Sequence, residues 1–187
     1  MSEAVAGWDT FYVIIGSSAA ALTGLMFVVI TLTGETRMGM GDTASGLDAF
    51  ASPTVVHFCV VLLLAAVLTS PLHNAFSLGL SVSIVGLIGL GYVITVILRM
   101  KRVKAYAPVG EDWLWHVCIP LIAYLSLLAS AGVLWRGSAA GLYFVAAASL
   151  LLLYAGIHNA WDTATWMAIH GKDRPKPPEQ FEKQDKV

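Results

Sequence analysis

Long apolar stretches with few or no charged residues recur along this chain, and each is close to the length that crosses a lipid bilayer. A transmembrane helix needs roughly 20 consecutive apolar residues. Only 12% of the residues are charged, whereas a soluble domain carries about 25%. So few charges cannot cover the water-facing surface of a 187-residue chain. The sequence therefore predicts an integral membrane protein.

The predicted fold is all-α, a polytopic bundle of five transmembrane helices that forms one domain over residues 1–171. Ser52 and Pro53 suit the cap and first position of a helix, and the Gly-rich, polar residues 34–48 predict a loop before them. Pro120 lies inside the fourth apolar stretch and predicts a kink there. The helices are predicted over residues 8–33, 53–70, 77–98, 113–135 and 139–170.

The distribution of basic residues predicts the orientation of this bundle. Five crossings place ten of the eleven Lys and Arg residues on one side, with Arg136 alone on the other. Cytoplasmic loops carry this excess, so we expect the N-terminus outside and the C-terminus in the cytoplasm. Residues 172–187, with three prolines among charges, predict a disordered cytoplasmic tail. Tryptophans are expected at both interfaces: Trp8 and Trp135 outside, and Trp113, Trp115, Trp161 and Trp166 inside.

Five polar residues form the candidate site. His158, Asn159 and Asp162 lie within five positions after a long uncharged run, and helical spacing predicts that they share one face. His57 and His116 each lie about one turn above the predicted cytoplasmic start of their helices. The topology therefore predicts that three helices bring polar groups to the inner boundary of the hydrocarbon, where such groups face the bundle interior or a watery cavity.

The role of this polar cluster is left open by the sequence. Interior histidines can tie helices together through hydrogen bonds, or they can handle protons or ions. A haem or metal site is the third reading, although residues two apart on a helix point about 200° apart. The repeats His57-Phe58-Cys59 and His116-Val117-Cys118 therefore cannot aim both side chains at one ion. No metal or other cofactor is expected, and both cysteines are expected to be small buried hydrophobes.

Two rows of small residues predict close helix packing. They are expected to form grooves within the subunit, or to line a pore or a contact between subunits. The first row is on the first helix and the second on the third: Gly16, Ala20 and Gly24, then Gly79, Ser83, Gly86 and Gly89.

These features favour a small oligomeric channel or carrier with the His/Asp cluster at its cytoplasmic boundary. One alternative is an assembly or regulatory factor that binds a cytoplasmic protein through the basic loop at 99–104 and the tail. A second alternative is a haem- or metal-binding redox protein. No catalytic arrangement of Ser, Cys and His is apparent, so we do not expect an enzyme. The chain also lacks a basic, aromatic-interleaved patch for nucleic acid, and its expected partners are the lipid bilayer and further copies of itself.

Several stretches of the sequence resemble a group of small bacterial multi-spanning membrane proteins of unassigned function. They are Phe11-Tyr12-Val13, the run Ala19–Val28, Ser52–Phe58 and Asn159–Asp162. The resemblance implies the bacterial cytoplasmic membrane as the location and brings no activity with it.

Overall fold

The structure, a computed structural model, describes residues 5–37, 42–71, 74–102 and 109–170. Side chains at residues 30, 32–37, 42–52 and 166–170 are not described. Within these ranges the chain is helical and has no strand. The long helices are α1 (Asp9–Arg37), α2 (Asp42–Thr69), α3 (Ala75–Arg102), α4 (Gly110–Trp135) and α5 (Gly141–His170).

Four of these helices are long and apolar enough to cross a membrane, over Asp9–Val29, Ala75–Arg102, Gly110–Trp135 and Gly141–Thr165. The apolar part of α2, Pro53–Thr69, is shorter. Large apolar side chains cover the outside of the bundle; Ile88, for example, is 68% exposed. A surface of this kind is stable against lipid tails and not against water. The protein is therefore a multi-pass integral membrane protein. The crossing of α2 and the orientation of the termini stay predictions.

The helices extend further than the hydropathy pattern predicted. α2 begins at Asp42, so Pro53 lies inside the helix and the predicted loop over residues 34–48 is largely helical. At the end of α3, Arg99, Lys101 and Arg102 form the last helical turn and not a loop. Polar composition marks the edge of the hydrocarbon, whereas the hydrogen bonds of a helix continue into water. Residues 103–108 and the predicted tail lie outside the described residues.

Four helices form a closed ring, and the fifth lies outside it. α2 packs on α5, α5 on α4 and α4 on α3, and a smaller contact between α2 and α3 closes the ring. α1 packs mainly on α2, with a smaller contact to α5. This ring encloses the interior in which the polar side chains lie.

Contacts between chain segments define the two ends of the bundle. At one end the rings of Trp8 and Tyr143 meet edge to face, with centroids 4.9 Å apart. There the indole Nε1 of Trp135 also donates a hydrogen bond to the carbonyl oxygen of Phe76, at 3.4 Å. The opposite end contains the start of α4, and we call it the Glu111 end.

The second row of small residues lies at the contact between α3 and α4. A Cβ added to Gly79 would lie 2.5 Å from Trp135 Nε1, and one added to Gly86 would lie 2.9 Å from the side chain of Leu128. A Cβ added to Gly89 would overlap the ring of Tyr124. Ser83 is half-buried and donates its own hydroxyl to the carbonyl oxygen of Gly79, at 2.8 Å. The missing side chains therefore make room for large residues of α4.

The first row of small residues is divided between two environments. Gly16 packs on α2, where an added Cβ would lie 2.7 Å from Cβ of Ala65. Ala20 and Gly24 are exposed, and nothing lies within 4 Å of a Cβ added to Gly24. Only Gly16 therefore serves packing within the subunit.

α4 contains a π-helical turn over Leu114–Cys118, between the α-helical segments Gly110–Trp113 and Ile119–Trp135. Within it, Ile119 N–H donates to the carbonyl oxygen of Leu114, five residues earlier. Pro120 has no N–H and its ring clashes with the carbonyl group four residues before it, which is that of His116. A wider turn relieves this clash. The predicted distortion thus takes the form of a π turn that carries Trp115 and His116.

Replacing Gly89 with alanine tests the contact between α3 and α4. The added methyl group would overlap the ring of Tyr124, and overpacking of this kind costs about 1–3 kcal/mol. We expect the free energy of unfolding to fall by that amount in a denaturant titration in mixed micelles.

Gly91→Ala is the matched control for this experiment. Gly91 lies on the same helix, and nothing lies within 4 Å of an added Cβ. Its alanine variant should be as stable as the wild type or slightly more so. Equal losses in both variants would contradict the contact at Gly89.

Candidate functional site

Two groups of polar side chains lie toward the Glu111 end. The first is partly exposed and joins α4 to α5; we call it the surface clasp, and its members are Glu111, Trp115, His158 and Asp162. The second is inside the ring of four helices; we call it the interior site, and its members are Thr54, His57, Tyr92, Tyr124 and Asn159.

The surface clasp holds the imidazole of His158 between a ring and two carboxylates. The imidazole stacks on Trp115, with ring centroids 3.9 Å apart and planes inclined at 17°. Its Nε2 is 3.0 Å from Oδ2 of Asp162 and 3.8 Å from Oε1 of Glu111. The distance to Asp162 is that of an ion pair, although the atoms lack the alignment of a hydrogen bond.

The clasp contributes little to the free energy of unfolding, but it brings ionisable side chains together at one place. Asp162 is 53% and Glu111 68% exposed, and exposed ion pairs contribute about 0–1 kcal/mol. Two carboxylates and an imidazole therefore meet at the contact between α4 and α5.

Asn159 does not share the face of His158 and Asp162, which corrects the prediction from helical spacing. Its side chain is 1% exposed, whereas Asp162 is largely exposed. One residue step turns the helix by about 100°, and here that step turns Asn159 inward. It lies on the buried stripe of α5 that includes Gly156 and Thr163. The spacing of these residues in the sequence fixes the angles between their side chains around the helix. It does not determine which side of the helix faces α2.

His57 is enclosed by two tyrosines from neighbouring helices. Its Nδ1 and the hydroxyl oxygen of Tyr124 are 3.2 Å apart and share a hydrogen bond. The phenol donates when Nδ1 is bare, and Nδ1–H donates in the other tautomer. Tyr92 meets the imidazole edge to face, with centroids 6.5 Å apart. Because Gly89 makes room for the ring of Tyr124, three of the four ring helices, α2, α3 and α4, contribute to this contact.

The interior site leaves buried polar atoms without a protein partner. They are Nε2 of His57, Oγ1 of Thr54, the hydroxyl of Tyr92, and both Oδ1 and Nδ2 of Asn159. Each such atom costs about 1–3 kcal/mol when it stays unbonded. Native proteins leave few of them, and each calls for a water molecule, a ligand or a function.

Helical register places Asn159 at the level of His57 and Thr54 along the bundle. Phe58 of α2 fills the space beside Gly156 of α5, where an added Cβ would lie 2.5 Å from the phenyl ring. Asn159 is three residues, or about 4.5 Å, from Gly156 toward the Glu111 end. On the antiparallel α2, the same distance from Phe58 falls between His57 and Thr54. The carboxamide of Asn159 therefore lies at the level of these two side chains.

His116 lies between the clasp and the interior site. Its Nδ1–H donates to the carbonyl oxygen of Asp112 at 3.1 Å, and its side chain is 5% exposed. It interacts electrostatically with His158 and Asp162 on one side, and with His57 on the other. His57, His116 and His158 thus form a row that runs from the surface of the bundle inward, and their common membrane depth stays a prediction. His57 lies fifteen residues after the first residue of α2 and four after Pro53, where the apolar part of α2 begins.

The cysteines take no part in either site. Cys59 and Cys118 are both free and exposed, so the expectation that they are buried is wrong. His57 and His116 occupy the inward face, and residues two positions later point away from it. Among the residues that the structure describes, no group of three or more His, Cys, Asp or Glu side chains has an arrangement that holds a metal ion.

The pattern of polar residues did not predict five members of these sites: Thr54, Tyr92 and Tyr124 in the interior, and Trp115 and Glu111 in the clasp. Tyr92 follows Gly89 by three residues, and Tyr124 lies in the middle of an apolar helix. A phenol at such a position needs a polar partner, which was the available signal. Pro120 was the residue that could have indicated the role of Trp115. It favours the π turn, and this turn sets the direction of the indole.

The chain matches no protein-family model, and no curated protein or solved structure shows significant similarity to it. Membership of the bacterial group named above therefore stays a prediction.

Replacing Tyr124 with phenylalanine tests the hydrogen bond to His57. The ring still fills the space beside Gly89, but Nδ1 of the buried imidazole loses its protein partner, and Nε2 has none already. We expect the free energy of unfolding to fall by about 1–3 kcal/mol in the same titration. Tyr154→Phe is the control, because Tyr154 is exposed. If both variants match the wild type, the bond to His57 does not stabilise the fold.

Proposed function

We propose that this protein is a small channel or carrier of the bacterial cytoplasmic membrane. The ring α2–α5 encloses its pathway, and the interior site is the narrow, selective part. The observation that carries this proposal is the set of unpartnered polar atoms inside the ring, connected to the surface through His116.

A purely structural role for the interior histidine accounts for fewer of the observations. Side chains that tie helices together satisfy each other, as His57 Nδ1 and Tyr124 do. Asn159 is 1% exposed and has no hydrogen bond at either polar atom. Its side chain therefore does not join two helices through a hydrogen bond. An amide of this kind inside a membrane is costly to keep unless something polar enters and binds it.

The surface clasp is suited to act as a gate at the cytoplasmic mouth. It joins the π turn of α4 to α5 through the stack of Trp115 on His158. The imidazole of His158 lies between the carboxylates of Asp162 and Glu111, and π turns are frequent at functional sites. In this proposal the Glu111 end faces the cytoplasm, in agreement with the distribution of basic residues.

The working unit in this proposal is a homo-oligomer formed through α1. This helix lies outside the ring, and its residues Ala20 and Gly24 form a small-xxx-small pair on the exposed face. Such pairs let two transmembrane helices approach closely. A Cβ added to Gly24 meets nothing within 4 Å in the subunit.

Gly24→Leu tests the oligomer. We expect the variant to lose subunit association in mild detergent, measured by light scattering, while its unfolding midpoint stays unchanged. Leu25→Ala is the control on the adjacent, equally exposed position. Association that is unaffected by Gly24→Leu would exclude this face as the contact.

Proteoliposomes test the transport function itself. We expect wild-type protein to pass a small solute or protons faster than empty vesicles at some pH between about 5 and 8. His57→Phe keeps an aromatic ring, although a larger one, and removes both nitrogens, so its flux should fall to that of empty vesicles. Ser149→Ala should keep wild-type flux, because Ser149 is buried but bonded to the carbonyl oxygen of Val145. A wild type that passes nothing would end the transport proposal.

A further inference from the structure

We infer that the interior site binds a small neutral molecule with both donors and acceptors, of the urea or primary-amide class. Only the passage of this molecule across the membrane rests on the proposed transport function. Binding itself depends on the side chains of the site and can be measured without transport.

The unpartnered groups at this site mix donors with acceptors. Asn159 offers a carbonyl oxygen and an NH₂ group, and Thr54 and Tyr92 offer hydroxyls that serve in both roles. A site for a cation is lined by acceptors, and a site for an anion by donors. Either ion would use only one half of the carboxamide of Asn159. A neutral ligand that carries both kinds of group uses both halves.

Charge around the interior site supports the same conclusion. The sequence has no Asp, Glu, Lys or Arg at residues 49–98, 113–135 or 137–161. These ranges contain every member of the interior site, and the carboxylates of the clasp are exposed at the surface. An ion brought here loses its hydration, and the segments that form the site carry no opposite charge to offset the loss; the charges that act on the site's edge are those of Arg99, near Tyr92, and Asp162, near His116. A neutral amide replaces its water contacts with hydrogen bonds.

The shapes of the side chains favour a flat ligand. The carboxamide of Asn159 can form two parallel hydrogen bonds with a second amide, as amides pair with each other. Nε2 of His57, also without a protein partner, lies at about the same level of the bundle. The aromatic rings beside His57 are those of Tyr92 and Tyr124. Flat polar molecules bind well in apolar pockets with a few placed polar groups.

Binding of ¹³C-urea and acetamide to the full chain in micelles is the first measurement, by saturation-transfer NMR. Ligands of this size bind weakly, with dissociation constants of the order of millimolar. We expect Asn159→Leu to weaken binding at least about tenfold, since the paired amide is lost. Ser149→Ala on the same helix should bind as the wild type does. If Asn159→Leu does not fold, Thr54→Val provides the second variant, with an expected loss of a few-fold.

Permeation of urea and potassium chloride into proteoliposomes is the second measurement. Urea should enter faster than into empty vesicles, and the salt should not. Salt entry as fast as urea, or a folded wild type that binds neither amide and holds water only, overturns the inference. Equal binding by wild type and the folded Asn159→Leu variant also overturns it. Intact amide binding with no permeation of any solute supports the inference and refutes the transport proposal instead.

Discussion

The hydrogen bond between His57 and Tyr124 joins α2 to α4 across the interior, and the polar site depends on it. This bond needs the ring of Tyr124 to pass close to the backbone of α3, which is possible because residue 89 is glycine. The bond provides a partner for Nδ1 of the imidazole and leaves Nε2 buried in the interior without one. The same contact therefore holds three helices together and orients an unused polar atom. In a bilayer, where lipid offers no hydrogen bonds, such an arrangement persists only inside the bundle.

The start of α4 relates this interior to the surface. Its first turn is capped by Asp112, whose carboxylate accepts a hydrogen bond from Val109 N–H at 2.9 Å. The π turn follows at once and presents two adjacent residues in different directions. Trp115 faces α5 and stacks on His158, while His116 is turned into the bundle. This one π turn thus positions residues of both the clasp and the row of histidines. A movement of the turn would shift both groups.

Small residues have two distinct uses in this fold. On α3 they face α4 and receive the side chains of Trp135, Leu128 and Tyr124, so they contribute to packing within the subunit. On α1 only Gly16 is used in this way, and the rest of the row remains exposed. The spacing of four residues is common to both rows. What differs is the position of each helix: α3 is part of the ring, whereas α1 lies outside it.

The amino-acid sequence by itself determined the class of protein, because apolar length and the scarcity of charge admit only a membrane bundle. It also indicated where polar residues interrupt the apolar helices, and the i, i+4 pair of His158 and Asp162 followed from helical geometry alone. The helix ends at Asp42 and Arg102 were not predictable from hydropathy, which reports the edge of the hydrocarbon and not the end of the backbone hydrogen bonds. Only the tertiary structure decided that Asn159 points inward and that Tyr124 bonds to His57. Those outcomes depend on which face of each helix meets its neighbour, and that choice is made by contacts such as Phe58 on Gly156 between residues far apart in the chain.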